Sequence, residues 1–224
     1  MRVSENKEIA EWVRNAIDFA LLTNVRFYPY RNHVKISEIG SCPKKIWERY
    51  NNKELEISQN AIRNLNKGIL ITNLLESVIG ETDISKKFVR IEYKDAVFVG
   101  NVDIIIPYKL LVELKTVKWL PKQPYEHHLK QLSLYVYALG LDLGYLVYIL
   151  PTDFNIRVFE VFPNAYDINA FLEEGYEHWQ LLQGLKEPYA KPSRLCKWCQ
   201  SLDWCQEGQK FLKDLNGNNG NFLD

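Results

Sequence analysis

Two acids and a lysine stand in apolar segments near the middle of the chain, where charged residues are unexpected. Asp103 interrupts one apolar stretch, and Glu113 and Lys115 alternate with Val112 and Leu114 in the next. If the second stretch forms a strand, Glu113 and Lys115 face the same side of it. Charged side chains among apolar strand residues cost free energy unless they are paired or bind a metal ion. The pattern therefore indicates either a cation site or a solvent-facing strand with a Glu–Lys pair.

A cation site of this kind would suit phosphodiester hydrolysis. Two carboxylates on adjacent strands, Asp103 and Glu113, can share Mg²⁺ or Mn²⁺ with water molecules. Such an ion lowers the pKa of a bound water and neutralises charge on a phosphate under attack. Lys115 can hold the attacking water or stabilise the developing negative charge. These three residues therefore predict metal-dependent phosphoryl-transfer chemistry.

The cysteines form a second constellation. Cys42 stands alone near the start, whereas three more stand close together near the end: Cys196, Cys199 and Cys205. The N-terminal residues are polar and no stretch could span a bilayer, so we expect a cytoplasmic protein, where clustered thiols bind metal more often than they form disulfides. Zinc sites usually come as two close ligand pairs, whereas one distant thiolate and three clustered ones suit a [4Fe–4S] or [2Fe–2S] cluster. The spacing favours iron–sulfur, with zinc, disulfides and unrelated buried thiols as alternatives.

Composition sets the wider limits. The chain has 224 residues and is 46% hydrophobic, which predicts one domain, or one with a small appendage, around a sizeable core. Lysine plus arginine equals aspartate plus glutamate at 28 each, which argues against a protein that coats nucleic acid non-specifically. A local basic groove is still compatible with this balance. Trp198 and Trp204 lie among the cysteines and could shield a cluster or stack on bases.

Hydrophobic periodicity and the positions of glycine and proline predict the elements that must position these residues. Three helices precede a β-meander, a fourth helix follows it, and a strand pair and a last helix lead to the cysteines. This order predicts an α/β or α+β fold. The expected helices are 5–22, 43–50, 59–79, 123–141 and 163–185. The expected strands are 84–93, 96–106, 110–116, 145–150 and 155–162, with a tight connection at 107–109.

The catalytic candidates resemble the motifs of a known enzyme superfamily. Asp103, the Glu113-Leu114-Lys115 triplet, and Gln131 with Tyr135 four residues later resemble the RecB-like branch of the PD-(D/E)xK nucleases. Residues four apart share one face of a helix, so the last two would lie together.

The cysteines narrow the resemblance. The segment 37–50, which contains Cys42, is similar to the amino-terminal cysteine motif of the CRISPR-associated exonucleases of family four. The spacing Cys196-x₂-Cys199-x₅-Cys205 matches the carboxy-terminal triad of that family, which carries a four-cysteine iron–sulfur cluster. The resemblance spans about residues 35 to 206.

The resemblance implies a fold and a division of the chain. The expected fold is an α+β, restriction-endonuclease-like core with a mixed central sheet flanked by helices, and an iron–sulfur cap formed by both termini. The expected parts are N-terminal helices with the first cluster cysteine at 1–58, a RecB-like nuclease core at 59–190, the cysteine segment at 191–215, and a flexible tail at 216–224.

The resemblance also implies residue roles. Asp103 and Glu113 would bind Mg²⁺ or Mn²⁺ together with the carbonyl of Leu114, and Lys115 would be the catalytic lysine. Gln131 and Tyr135 would help to position DNA. The iron–sulfur ligands, with [4Fe–4S] preferred over [2Fe–2S], would be Cys42, Cys196, Cys199 and Cys205.

The activity implied is exonuclease cleavage of single-stranded DNA from the 5′ end, with endonuclease cleavage as a further activity. The implied process is CRISPR spacer acquisition, in which the enzyme acts together with the adaptation integrase. A stand-alone repair nuclease and a catalytically weak DNA-binding scaffold are the alternatives. One departure bears on activity: in Gly68-x₃-Thr72-x₃-Glu76 a threonine stands where the family's Gly-x₃-His-x₃-Glu motif has a metal-binding histidine. A hydroxyl is a weak ligand, so this substitution predicts looser metal binding. The sequence does not give the oligomeric state.

Overall fold

The computed structural model of the chain describes residues 32–51, 68–71, 74, 88–106 and 110–217. Several predicted features lie outside these residues: the helix at 5–22, most of the helix at 59–79, Thr72, Glu76 and the connection at 107–109. Residues 68–71 are helical, as expected.

The strands fall close to where the sequence predicts them. Both members of the later strand pair match within a residue, and β2 is described from Phe88 onward. A short strand before the first cysteine was not expected. The strands are β1 (His33–Lys35), β2 (Phe88–Tyr93), β3 (Ala96–Asn101), β4 (Ile104–Ile106), β5 (Leu110–Thr116), β6 (Gly144–Ile149) and β7 (Ile156–Val161).

The helices are α1 (Pro43–Asn51), α2 (Glu126–Ala138), α3 (Ala165–Leu182) and α4 (Gln206–Gly217). Helix α3 begins two residues after Pro163 because the side chain of Asn164 accepts a hydrogen bond from Asp167 N at 2.9 Å and caps the helix. Helix α2 ends before Gly140, whose φ of +63° cannot continue a helix. The sequence predicted no helix at α4, which packs on the short 3₁₀ turns Arg194–Trp198 and Leu202–Trp204. In the described part of the chain no helix is both long and apolar enough to cross a bilayer.

The described strands form two mixed sheets. The first has the order β1-β3-β2, with β1 parallel and β2 antiparallel to β3. The second has the order β4-β5-β6-β7, in which β5 and β6 are parallel and the outer pairs are antiparallel. Mixed sheets flanked by helices confirm the predicted α+β class.

One predicted strand is divided in two. The sequence predicts a continuous strand over 96–106, but β3 ends at Asn101 and β4 begins at Ile104. At this break the side chain of Asp103 accepts a hydrogen bond from Leu114 N at 2.9 Å. The Asp103 carboxylate thus accepts the hydrogen bond that a backbone carbonyl would accept if the strand were continuous. The chain turns at Asp103, and the strands separate into two sheets.

The core lies where α2 and α3 pack against the two sheets. Phe98 of β3, Leu132 of α2, Leu146 of β6 and Leu172 of α3 belong to one buried cluster. Burying a side chain of this size contributes about 1.5–3 kcal/mol relative to leaving it exposed. Helix α2 is therefore held firmly against β6, and its Gln131 is held with it.

Candidate active site

Glu113 lies at the centre of a closed hydrogen-bonded group. Its side chain is 2% exposed, and its Oε1 accepts hydrogen bonds from Lys115 Nζ and Gln131 Nε2, each at 2.7 Å. Lys115 Nζ also donates to Gln131 Oε1 at 2.8 Å. Because each side chain contacts both of the others, the direction of the Lys115 ammonium and of the Gln131 amide is fixed. The predicted same-side placement of Glu113 and Lys115 on β5 is found.

The second carboxylate oxygen of Glu113 is buried, and no described residue donates a hydrogen bond to it. Burial, reinforced by the nearby charge of Asp103 and opposed by Lys115, raises the pKa of Glu113 to about 7. An unpartnered buried oxygen beside a second carboxylate costs free energy, and a cation between them would remove that cost. The donor atoms therefore fit a divalent cation.

Asp103 and Leu114 are joined across the strand break. Asp103 Oδ2 accepts from Leu114 N at 2.9 Å. In an extended strand the N–H and C=O of one residue point to the same neighbour, so the Leu114 carbonyl is directed to the side of Asp103. Carboxylate and carbonyl oxygens are the ligands that Mg²⁺ and Mn²⁺ prefer. Among the described residues, no three His, Cys, Asp or Glu side chains are grouped as a metal site.

Gln131 and Tyr135 lie behind Glu113 and Lys115. They are 5% and 2% exposed, and Gln131 Nε2 also bonds to the Tyr135 hydroxyl at 3.2 Å. Burial raises the pKa of Tyr135 above its usual value. Gln131 contacts Glu113 and Lys115 directly, and Tyr135 contacts Gln131. Both side chains are buried in this conformation, and their part in positioning DNA stays a prediction.

Gly100 makes room for this arrangement. A Cβ atom at Gly100 would come within 2.5 Å of the Tyr135 hydroxyl and 2.7 Å of its ring, closer than real side chains approach. A glycine inside a strand often marks such a close approach. That signal was available in the sequence, but it did not identify the partner.

The histidines of α2 join an aromatic group beside the site. The rings of His127 and His128 lie 4.1 Å apart between centroids. His128 Nδ1 lies 3.0 Å from the hydroxyl of Tyr148, which accepts a hydrogen bond from Tyr125 N at 2.9 Å. Burial, with the charge of Lys115, lowers the pKa of His128 to about 2, so the ring is neutral at ordinary pH.

The four cysteines line one cleft of about 700 Å³ and are all free thiols. The sulfurs of Cys196 and Cys205 lie 3.6 and 3.3 Å from the position of a Cβ on Gly208, so both face the same space. Backbone N–H groups of Lys191 and Ser193 donate to the sulfurs of Cys42 and Cys196, each at 3.3 Å. Hydrogen bonds of this kind stabilise the thiolates that bind iron–sulfur clusters.

The surroundings of the cleft also fit a group held by thiolates. Its lining includes four basic side chains, Lys44, Lys45, Arg194 and Lys197, and two acidic ones, Glu48 and Glu126. The excess of positive charge would offset part of the negative charge of four thiolates. Lys44 N donates to Tyr189 O at 3.0 Å, which joins the segment after Cys42 to the loop that leads to the other cysteines. Trp198 and Trp204 are 68% and 58% exposed, so neither indole is buried over the sulfurs.

Sequence reasoning missed a charged group between the cysteines and α2. Lys130 is 6% exposed, and its Nζ lies 2.6 Å from Glu174 Oε2 and 2.7 Å from Glu126 Oε1. Glu174 Oε1 lies 2.9 Å from Lys191 Nζ, and the backbone of Lys191 contacts Cys42. The four-residue spacing of Glu126 and Lys130 was a visible signal, but the contact with Glu174 depends on how α3 packs.

Sequence comparisons relate this chain to nucleases. Residues 70–155 match the family model of the PD-(D/E)XK nuclease superfamily. The chain is 28% identical over 153 residues to the CRISPR-associated exonuclease Cas4 of Saccharolobus solfataricus strain P2, covering 64% of this chain and 71% of that protein.

A solved structure supports the same fold. The crystal structure of SSO0001 superposes with a TM-score of 0.63 at 24% identity, covering 88% of this chain and 96% of that one. At this identity the likeness establishes the fold alone. The chain has the PD-(D/E)XK nuclease fold, and the comparisons together support a DNA nuclease.

Proposed function

We propose that this DNA nuclease is a metal-dependent exonuclease that cuts single-stranded DNA from the 5′ end during CRISPR spacer acquisition, alongside the adaptation integrase. The observation that carries the chemistry is the geometry of Glu113: Lys115 and Gln131 hold one carboxylate oxygen, while no described residue bonds to the other, beside Asp103. The biological setting follows the 28% identical relative, which is named a CRISPR-associated exonuclease.

Asp103, Glu113 and the Leu114 carbonyl would hold Mg²⁺ or Mn²⁺. When bound, such an ion supplies an activated water and neutralises phosphate charge. Lys115 would donate a hydrogen bond from Nζ to the scissile phosphate and stabilise the negative charge that develops there. Gln131 keeps that ammonium in place by accepting one of its hydrogen bonds at 2.8 Å. A lysine fixed in this way needs little reorganisation when charge develops.

Cys42, Cys196, Cys199 and Cys205 would hold an iron–sulfur cluster, most simply [4Fe–4S]. The cluster's role is structural, because four thiolate ligands leave no open position for substrate. The cleft unites a thiol from the N-terminal part with three from the C-terminal part, so a cluster there would join the segments on either side of the nuclease core.

The test is cleavage of end-labelled single-stranded DNA with Mn²⁺. Glu113→Ala and Lys115→Ala should each reduce cleavage by at least about 100-fold, since each removes a group expected at the reacting phosphate. Glu92→Ala, which alters an exposed carboxylate paired with Arg90, should cut like the wild type. Labels at either end distinguish 5′ from 3′ polarity and expose internal cuts.

The assay also decides between the proposed function and its alternatives. Unchanged cleavage by Glu113→Ala would show that the active site is not at Glu113 and its neighbours. DNA binding without Mn²⁺-dependent cleavage by the wild type would favour a scaffold, the alternative that the threonine at position 72 raises. Cleavage without any association with an adaptation integrase would favour a stand-alone repair nuclease.

A further inference from the structure

The carboxyl ends of β5 and β6 carry an exposed surface that the catalytic group does not use. Trp119 in the loop after β5 is 72% exposed, and Phe154 in the turn after β6 is 60% exposed. Cationic side chains stand in the loop after β5 and at the start of β7. We call this surface the strand-end rim; it comprises Lys118, Trp119, Lys122, Phe154 and Arg157.

The two halves of the rim are tied together by the fold. β5 and β6 are parallel, so their carboxyl ends lie at one edge of the sheet, and Val117 N donates to Ile149 O at 3.0 Å beyond the paired strands. Arg157 Nη1 donates to Pro121 O at 3.0 Å, which links the start of β7 to the loop that follows Trp119.

The aromatic side chains are held outward. Phe154 N donates to Leu150 O at 2.9 Å, and its φ of +57° is uncommon for a residue other than glycine. Lys118 Nζ lies 5.6 Å from the centre of the Trp119 ring. The turn thus keeps a phenylalanine ring in solvent, where it contributes little to the core.

The rim continues from the catalytic group. Lys115 and Trp119 are four residues apart along the chain, and Lys115 is the last but one residue of β5. In sheets with parallel strands, ligands bind beyond the carboxyl ends of the strands. We take a DNA strand held at Lys115 to continue over this surface.

We propose that the strand-end rim binds single-stranded DNA, with bases stacked on Trp119 and Phe154 and phosphates placed against Lys118, Lys122 and Arg157. Stacking on aromatic rings with cations along the backbone is how proteins bind single strands without reading sequence. Asp153, which precedes Phe154, accepts hydrogen bonds from Asn155 N and Nδ2 at 3.2 and 2.6 Å. The inference rests on the proposed function, because it takes the bound strand to be the nuclease's substrate.

Binding is measured on the full chain in EDTA, so that cleavage does not interfere, by the fluorescence anisotropy of a labelled 12-nucleotide thymidine oligomer. Trp119→Ala should weaken binding by about 10-fold or more and Phe154→Ala by about 5-fold, the range for losing one base–aromatic stack. Trp119→Phe retains a ring and should bind within about 3-fold of the wild type. Tyr166→Ala, which removes another exposed aromatic ring, is the matched control and should bind like the wild type.

Two further readouts separate stacking from charge. The double variant Lys118→Ala, Lys122→Ala should lower the slope of log affinity against log salt by about 1.4, at about 0.7 for each phosphate contact with a single strand. Trp119→Ala should leave that slope unchanged. Blunt duplex DNA should bind all the aromatic variants equally, because its bases are already stacked.

Wild-type affinity in both Trp119→Ala and Phe154→Ala would overturn the proposal, as would an equal loss in Tyr166→Ala. Cleavage with Mn²⁺ is measured on the same proteins to separate the two proposals. If the protein binds DNA through the rim but does not cleave it, the proposed function is wrong and the rim proposal stands. If the protein cleaves DNA normally and Trp119→Ala has no effect, only the rim proposal is wrong.

Discussion

At the scale of single residues, the charged side chains of the candidate site are held in fixed positions by one another. Lys115 touches Glu113 and Gln131 at hydrogen-bond distance, and Glu113 touches both in return. Since the group is largely buried, removing one partner leaves the others without compensation from water. The consequence for function is best tested at Gln131, which would act through Lys115.

Gln131→Leu should lower kcat by about 10- to 100-fold with little change in KM, because the lysine loses the acceptor that fixes it and small displacements of a catalytic group are costly. Gln123→Leu changes an exposed glutamine just before α2 and is the control. A rise in KM with kcat unchanged would instead mean that Gln131 binds the DNA strand directly.

The buried side chain of His178 should make the folded protein less stable in acid. It is fully buried in α3, neither ring nitrogen has a hydrogen-bond partner among the described residues, and burial, opposed by Glu174 and Glu177, lowers its pKa to about 4. Unfolded histidine titrates near 6.5, so above that pH the ring is neutral in both states. As the pH falls from about 6.5 to 4 the unfolded chain binds a proton that the folded chain does not, and stability falls.

Urea unfolding at pH 7 and pH 5 measures this effect. At pH 5, His178 should lower the free energy of unfolding by about 2 kcal/mol. This follows from about 1.4 kcal/mol for each pH unit below 6.5. His178→Leu should remove that part of the pH dependence. An identical pH dependence in wild type and variant would show that His178 does not stay neutral in the fold.

At the scale of elements, helix α2 is the point where the core, the catalytic group and the cysteine segment meet. Its Leu132 lies in the core, Gln131 holds Lys115, and Lys130 pairs with Glu174 of α3. Glu174 in turn pairs with Lys191, in the loop that leads to the cysteines. A change at Glu174 should therefore affect more than the local ion pair.

Glu174→Gln should lower the free energy of unfolding by about 3 kcal/mol, because the buried Lys130 loses its largely buried anion and keeps only the exposed Glu126. Glu177→Gln is the matched control, one turn along the same helix: its partner Lys186 is exposed, so the loss should stay under about 1 kcal/mol. Equal losses in the two variants would mean that burial of Lys130 adds nothing to the pair.

At the scale of the whole molecule, the cysteine cleft joins segments that are far apart in the chain. A cross-link over a loop of more than about 100 residues removes about 4 to 5 kcal/mol of chain entropy from the unfolded state in the loop-closure model. A cluster held by Cys42 and the three later cysteines would act in this way. The helices around the cleft would then depend on the cluster for their packing.

Cys199→Ala should lose bound iron, measured by elemental analysis and visible absorbance, and should melt well below the wild type. A colourless wild-type protein that contains zinc would contradict the iron–sulfur assignment but not the metal cross-link between the two segments. A Cys199→Ala protein that melts like the wild type would contradict the stabilising cross-link itself.

Sequence alone determined the local features of this protein. Alternation of apolar and charged residues placed Glu113 and Lys115 on one face of β5, and helical spacing placed Gln131 beside Tyr135, because both periodicities are properties of the backbone. Glycine and proline marked most element ends within a few residues. The domain boundaries and the cysteine ligands are still predictions.

Tertiary structure decided how these features meet. The break at Asp103, the division into two sheets, the space that Gly100 leaves for Tyr135 and the burial of Lys130 against Glu174 all join residues distant in sequence. None follows from local periodicity, because each depends on which surfaces pack together and on which polar groups then lose water. The sequence thus supplied the chemical groups of the candidate site, and packing set their partners, protonation and direction.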